Sequence, residues 1–300
     1  MNGFIGASVH RFIGAGALLA AGCAGTAPAP VRDGAPAWSP DGNQIAFYSE
    51  VGGQPADLFV LKADGTGLRQ LTNTPVAEGY PAWSPDGTQI AFESHTVDGN
   101  FDVYVMQADG SNVRRLTDHP RRDVGPAWSL DGARIAFMSD RDGKEFNLYW
   151  MRADGTELER LTDGETDWFP QFSPDGTRIA FHRWNDVHVM DLVTRGIQGL
   201  TTAPDNGMYP TWSPDGTRLA FMSWRGGPTA VYVMQADGSG QRQVVRMSAG
   251  SAIDPRWSPD GRSLLFVHVP EQAADEAQAA TQSRQIYIAD VETGAIRRLR

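Results

Sequence analysis

Four carboxylates occupy equivalent positions in this 300-residue sequence, each three residues before a proline. The proline opens a recurring segment of the form Pro-x-aromatic-Ser-x-Asp-Gly, and the carboxylates are Asp33, Glu78, Asp123 and Asp167. Neighbouring carboxylates attract cations and cationic segments. An Asp can also cap a loop by accepting a hydrogen bond from a backbone N–H group. The sequence leaves both roles open for this set, ligand contact and loop capping.

Large apolar side chains form the second candidate set, in the fourth and fifth copies of the recurring segment. They are Trp168, Phe169, Trp184, Met208, Tyr209 and Trp224. Trp and Tyr provide rigid, amphipathic contact area and are enriched at binding hot spots. The set predicts a partner-binding surface, with sealing of the loops and stacking on sugar rings as the alternatives.

No recognisable catalytic motif accompanies these residues. The sequence has no Gly-x-Ser-x-Gly elbow, no His-Glu-x-x-His, no phosphate loop and no dinucleotide fingerprint. A single cysteine excludes an intramolecular disulfide and a multi-cysteine zinc site. The net charge of -10 repels phosphate backbones, which argues against a nucleic-acid partner. We therefore predict no catalytic residue, no metal site and no cofactor.

A sixfold repeat must position both sets. Its aromatic residues stand at 38, 83, 128, 172, 212 and 257, at spacings of 45, 45, 44, 40 and 45. Each unit continues with two β-rich runs, such as 45–47 and 58–60, and most end in a short Leu-Thr strand. Four strands in a period of 40 to 45 residues are typical of β-propeller blades. The sequence predicts an all-β, six-bladed propeller of four-stranded antiparallel blades at about 35–72, 80–117, 125–162, 169–201, 209–245 and 254–300.

Each blade is expected to consist of one contiguous unit, with no strand left over to latch blade six to blade one. The loops after each second strand and before each first strand then share one face. Both candidate sets are expected there, at the mouth of the central channel. Segment 271–283 interrupts blade six and is interpreted as a protruding helix or a disordered excursion.

The N-terminal residues read as an export signal. Arg11 precedes an apolar run over 12–22 that is too short to span a membrane. The run ends in Leu-Ala-Ala-Gly-Cys23, which resembles a bacterial lipobox. We predict a signal peptide at 1–22, lipidation of Cys23 and a tether at 23–34. A cleaved signal without lipid and a buried structural N-terminus are the alternatives.

The repeats resemble the WD40-like, PD40-type repeats of TolB-like β-propeller proteins, and the likeness covers residues 35–300. The sequence shows no counterpart of the α/β domain that precedes the propeller in TolB. The resemblance implies a monomeric, non-catalytic binding scaffold, exported to the bacterial periplasm and held at the outer membrane by its lipid alone. The partner would be a protein or peptide of the envelope, such as a peptidoglycan-associated lipoprotein. The alternative is a lyase-like or lactonase-like enzyme, or a glycan-binding propeller, that uses the channel mouth.

Overall fold

The predicted all-β, six-bladed propeller is confirmed. The computed structural model describes residues 29–300 except 97, 98, 144, 164, 165, 203, 205 and 272–281. Over these residues the chain forms 24 strands in six four-stranded antiparallel sheets. The signal peptide, Cys23 and most of the 271–283 segment lie outside the described residues.

Each blade contributes four strands in chain order, from the innermost to the outermost. The strands are β1 (Val31–Trp38), β2 (Gln44–Val51), β3 (Asp57–Lys62) and β4 (Arg69–Gln70) in blade 1; β5 (Glu78–Trp83), β6 (Gln89–His95), β7 (Phe101–Gln107) and β8 (Arg114–Arg115) in blade 2; β9 (Asp123–Trp128), β10 (Arg134–Ser139), β11 (Asn147–Arg152) and β12 (Glu159–Arg160) in blade 3; β13 (Asp167–Phe172), β14 (Arg178–Arg183), β15 (Asp186–Asp191) and β16 (Ile197–Gly199) in blade 4; β17 (Met208–Trp212), β18 (Arg218–Ser223), β19 (Ala230–Gln235) and β20 (Arg242–Val245) in blade 5; and β21 (Ser251–Trp257), β22 (Ser263–Val269), β23 (Gln285–Asp290) and β24 (Ile296–Arg298) in blade 6.

The ring closes without strand exchange, as expected from the contiguous units. Blade 1 pairs as β1-β2-β3-β4 and blade 6 as β21-β22-β23-β24. Backbone hydrogen bonds join the two blades: the Asp33 N–H donates to the Arg284 carbonyl at 3.2 Å, and the Arg284 N–H donates to that of Val31 at 2.9 Å. A short parallel bridge between Arg32 and Arg284 accompanies them. A hydrophobic cluster, in which Phe47 of blade 1 packs with Leu265 and Ile286 of blade 6, joins these hydrogen bonds in closing the ring.

The turn after each first strand is built by its own side chains. In blade 1 the Ser39 hydroxyl donates to Asp41 Oδ1 at 2.5 Å, and the same oxygen accepts the Asn43 N–H at 3.0 Å. Gly42 follows in the left-handed region at a φ of 73°. These hydrogen bonds favour the ionised carboxylate and hold the pKa of Asp41 below its usual range. Each of the six repeated aspartates accepts the same hydrogen bond from the serine two residues earlier, so all six form turns, as the repeated segment predicts.

The core lies between blades and is dominated by one phenylalanine from each second strand. The six are fully buried: Phe47, Phe92, Phe137, Phe181, Phe221 and Phe266. Each stacks on a ring of the third strand in its own blade, for example Phe137 on Tyr149 with 6.0 Å between ring centroids. The recurring Ile-Ala-Phe run is therefore the packing signal of the fold.

Every first strand carries a β-bulge immediately before the repeat proline. Proline has no N–H group to donate to the hydrogen bonds between strands, and within sheets it therefore often occurs at a bulge. The residue before the proline adopts a positive φ in all six blades, which re-aims its side chain. The six are Ala35, Tyr80, Gly125, Phe169, Tyr209 and Asp254.

Candidate functional site

The four predicted carboxylates lie near the start of the innermost strands, just beneath the face that carries the β2–β3-type loops. We call this side the loop face and the opposite side, with the Ser-Pro-Asp-Gly turns, the turn face. All four carboxylates are buried. The fold therefore brings them to equivalent positions around the ring, but it does not expose them.

Arginines of the loop face neutralise two of the four. Both oxygens of Asp123 accept hydrogen bonds from Arg141 Nη2 at 2.8 Å. Asp167 accepts from Arg183 through Nε at 2.7 Å and Nη2 at 3.0 Å. The guanidinium of Arg141 also covers the Tyr149 ring at 5.0 Å. Arg183, at the end of β14, and Arg141, in the loop after β10, thus connect the end of the second strand to the start of the first strand in their blades.

The other two carboxylates have weaker partners. Asp33 faces Arg300, whose Nε lies 3.5 Å from Asp33 Oδ2, and burial raises the pKa of this carboxyl. Glu78 accepts a hydrogen bond from the Thr74 hydroxyl at 3.1 Å, and burial raises its pKa as well. Asp123, Asp167 and Glu78 therefore have partners within the propeller, and these partners are side chains and not the backbone N–H groups of a loop cap. Neither oxygen of Asp33 has a hydrogen-bond partner among the described residues.

The predicted apolar set divides into buried and exposed members. Phe169 and Tyr209 are buried, and Trp168 and Met208 are half-buried. Trp168 packs against Phe146 with 4.6 Å between ring centroids. Trp184 and Trp224 are exposed, at 63% and 37% of their surface. Only these two members of the set present indoles to solvent on the loop face.

Three of the bulge residues fill the axis of the ring. Tyr80 of blade 2 lies 4.9 Å from Phe169 of blade 4, and Phe169 lies 4.3 Å from Tyr209 of blade 5, measured between ring centroids. Blades 2 and 5 stand opposite each other in a ring of six, so these side chains meet across the channel. No motif in the sequence predicts that these three rings meet at the axis, where they form an aromatic plug.

Two titratable groups flank the plug, at the same position of different second strands. Glu93 Oε2 accepts the Gly125 N–H at 2.9 Å, and burial raises the pKa of Glu93 to about 7. His182 Nδ1 accepts the Tyr209 N–H at 3.3 Å, and burial lowers the pKa of His182 to about 3. Both side chains serve as acceptors for bulge N–H groups that the ladder leaves free. His182 is therefore neutral at physiological pH.

Glu93 is expected to make stability fall as pH rises. Its folded pKa of about 7 lies above the usual 4.5, so the folded state retains a proton that the unfolded state releases. Between pH 4.5 and 7 the free energy of unfolding should drop by about 3 kcal/mol from this group. Glu93→Gln keeps an acceptor for the Gly125 N–H but has no carboxyl group to titrate, so this decrease in the free energy of unfolding should disappear. Urea unfolding of both proteins at pH 5 and pH 8 measures it, and identical pH dependence would contradict the assignment.

Trp184 occupies an unusual backbone position. It is the first residue of the two-residue turn between β14 and β15 and has a φ of 53°. Such turns favour glycine there because a side chain clashes with the backbone. Hydrogen bonds fix the turn: the Trp184 N–H donates to the Thr166 carbonyl at 3.4 Å, and the Gly207 N–H donates to that of Asn185 at 2.6 Å. Trp224 stands at the equivalent position of blade 5, three residues after the second-strand phenylalanine.

No metal-binding cluster of three or more His, Cys, Asp or Glu side chains occurs in the part of the chain that the structure describes. Across those same residues, no helix is both long enough and apolar enough to cross a membrane.

The repeat and the fold match known propellers. Residues 168–286 match the TolB β-propeller domain, and residues 55–147 match the N-terminal β-propeller domain of tricorn protease. The putative TolB of Agrobacterium tumefaciens is 21% identical with a TM-score of 0.68, over 78% of this chain and 84% of that one. TolB of Acinetobacter baumannii is 16% identical with a TM-score of 0.67, over 89% of this chain and 62% of that one. No curated protein matches the sequence.

An enzyme shares the fold as well. The oligogalacturonate lyase of Vibrio parahaemolyticus is 13% identical with a TM-score of 0.59, over 90% of this chain and 78% of that one. At such identities the likeness to solved structures concerns the fold alone. Fold and repeats together define a six-bladed β-propeller. Its residues 168–286 resemble the TolB β-propeller domain, and its fold resembles that of the two TolB structures.

Proposed function

We propose that the protein is a non-catalytic binding scaffold of the cell envelope, which docks a protein partner on the loop face at blades 4 and 5. The observation that carries the proposal is the pair of exposed indoles at equivalent positions of neighbouring blades, Trp184 and Trp224. Tryptophan is enriched among the residues that dominate binding energy at protein interfaces. The half-buried Trp168 and Met208, on the same two blades, extend this surface towards the axis.

The backbone of Trp184 supports the same surface. A non-glycine residue in the left-handed region costs roughly 1 to 2 kcal/mol, and the exposed indole gains little packing in return. Residues held in such conformations cluster at binding sites. The strained turn therefore favours a role for the indole outside the folded monomer.

The resemblance to TolB-like proteins supplies the location and the partner class. We propose export to the periplasm, removal of residues 1–22 and lipid attachment at Cys23. The first described residues lie at the loop face, where the Gly52 N–H donates to the Pro30 carbonyl at 3.0 Å. Seven residues span at most about 25 Å, so an acylated Cys23 would hold the loop face near the membrane. A membrane-proximal partner such as a peptidoglycan-associated lipoprotein fits that orientation.

The channel-mouth enzyme or glycan-binding propeller is the second candidate. It is less favoured because arginines neutralise two of the predicted carboxylates, Asp123 and Asp167. The rings of Tyr80, Phe169 and Tyr209 also fill the axis.

Replacing Trp184 with glycine tests the proposed interface. The partner used is the purified peptidoglycan-associated lipoprotein of the source organism. We expect its dissociation constant to rise at least about tenfold, since a hot-spot indole is lost. The free energy of unfolding should stay unchanged or rise by about 1 kcal/mol because glycine relieves the strained φ. Val193→Gly is the matched control, since Val193 is an exposed apolar residue in a turn of the opposite face.

Calorimetric titration of wild type, Trp184→Gly and Val193→Gly with the lipoprotein measures the three dissociation constants. A wild type that does not bind this lipoprotein, or a Trp184→Gly variant that binds it equally well, would contradict the proposal. Fractionation of the same cells tests the anchor: wild type should partition with membranes and Cys23→Ser should not, while equal partitioning would contradict lipidation.

A further inference from the structure

A cavity opens on the axis at the turn face, on the other side of the aromatic plug. It has a volume of about 260 Å³. Tyr80 and Phe169 line its inner end, and prolines, alanines and tryptophans of the first strands form its wall. The Ser-Pro-Asp-Gly turns ring its opening, and in most blades the turn proline lies beside the turn glycine of the next blade. Most of the residues that line the cavity are of apolar types, although polar atoms make up the larger part of its exposed surface.

Arg256 is the one charged residue among those that line the cavity in the described structure. It follows the repeat proline of blade 6, and the equivalent residues of the other blades are Ala37, Ala82, Ala127, Gln171 and Thr211. Five uncharged residues and one guanidinium thus form a ring around the cavity. This asymmetry gives the cavity a single positively charged side.

The guanidinium has spare hydrogen-bonding capacity. Among the described residues it donates one hydrogen bond, from Nη1 to the Pro255 carbonyl at 3.0 Å, whereas a guanidinium offers five donor hydrogens. Burial lowers the pKa of Arg256 and opposes its charge, and the nearby Asp254 stabilises that charge. A partly exposed arginine that lines a cavity is suited to a planar anion that accepts two parallel hydrogen bonds.

We propose that this cavity binds a carboxylate with an apolar body, with the carboxylate on Arg256 and the body against the alanine, proline and aromatic wall. A single guanidinium favours a monoanion. The rim aspartates are ionised, since hydrogen bonds lower the pKa of Asp175 and Asp215 to about 2. Their charge opposes the entry of any anion, and it opposes a dianion such as a phosphate monoester about twice as strongly as a monoanion. A small organic acid and the carboxyl terminus of a polypeptide both present the required group.

Benzoate and its uncharged analogue benzamide provide the test, in ligand-observed NMR titrations of the full chain. We expect wild type to bind benzoate and to bind benzamide roughly tenfold more weakly or worse, because benzamide cannot form the charged pair. Arg256→Gln should weaken benzoate binding by a similar factor. Arg262→Gln is the control, since Arg262 is an exposed arginine of the same face that does not line the cavity. Equal binding of the two ligands, or unchanged benzoate binding by Arg256→Gln, would overturn the proposal.

A second variant keeps the test decisive if Arg256→Gln does not fold. Ala82 is a half-buried residue of the cavity wall, and Ala82→Leu fills the cavity while Arg256 remains. It should abolish benzoate binding, and retained binding would place the ligand elsewhere. The tetrapeptide Ala-Ala-Ala-Phe distinguishes a small organic acid from the carboxyl terminus of a polypeptide. If the peptide with a free carboxyl terminus competes with benzoate and the peptide amide does not, the natural ligand is a chain terminus. Failure of both peptide forms to compete indicates a free organic acid.

Discussion

Asp123→Asn is expected to lower the free energy of unfolding by about 3 to 5 kcal/mol, the usual cost of removing one partner of a buried ion pair. Asp123 is fully buried, and only 12% of the Arg141 side chain is exposed. The substitution leaves the Arg141 guanidinium without its counter-charge and replaces one of two charge-assisted acceptors with an amide donor. The arginine then fastens the second strand of blade 3 to the first strand less firmly.

Urea unfolding of Asp123→Asn and of Glu50→Gln measures this effect against a control. Glu50 pairs with Arg32 at 3.0 Å, and 37% of the Arg32 side chain is exposed. An exposed pair of this kind contributes about 1 kcal/mol or less. Equal losses in the two variants would contradict a structural role for the buried pair. Full stability of Asp123→Asn with loss of partner binding would instead assign Asp123 to ligand contact.

Trp83→Ala is expected to cost about 3 to 5 kcal/mol, the range for truncating a buried aromatic residue. Trp83 is 9% exposed and packs in one cluster with Ile90 and Phe92. Its indole Nε1 also donates to the Ala37 carbonyl at 3.2 Å, which joins blade 2 to blade 1. The variant loses the packing and the link between the blades together.

Trp224→Ala is the matched control for this prediction because it removes the same side chain from an exposed loop. It should change the free energy of unfolding by about 0.5 kcal/mol or less. Chemical unfolding of both variants gives the comparison. An unchanged unfolding curve for Trp83→Ala would show that the repeat tryptophan is not part of the core.

The fold could be predicted from the sequence because its signals are local and occur six times. Ser39, Pro40, Asp41 and Gly42 specify one turn through contacts within a few residues, and the other units repeat the same chemistry. The buried Phe of each Ile-Ala-Phe run marks the second strand in the same way. Neither signal depends on how the ring closes.

The site depends on contacts that only the closed ring creates. Asp123 and Asp167 are buried because arginines 18 and 16 residues later cover them, and no short motif announces that pairing. Tyr80 and Tyr209 both pack on Phe169 because the first strands of their blades surround one axis. The available signal for the aspartate–arginine pairing was an arginine shortly after the second-strand Phe, four residues later in blade 3 and two residues later in blade 4. The exposure of Trp184 and the partial burial of Trp168 likewise follow from loop geometry and not from residue type.

The most direct test of the proposed scaffold is photo-crosslinking in intact cells from a benzoylphenylalanine placed at Trp184 or at Val193. Both positions are exposed, the first on the loop face and the second in a turn of the opposite face. The account predicts one discrete adduct with an envelope protein from position 184 and none from position 193. The same adduct from both positions, or an adduct from position 193 alone, would contradict docking on the loop face.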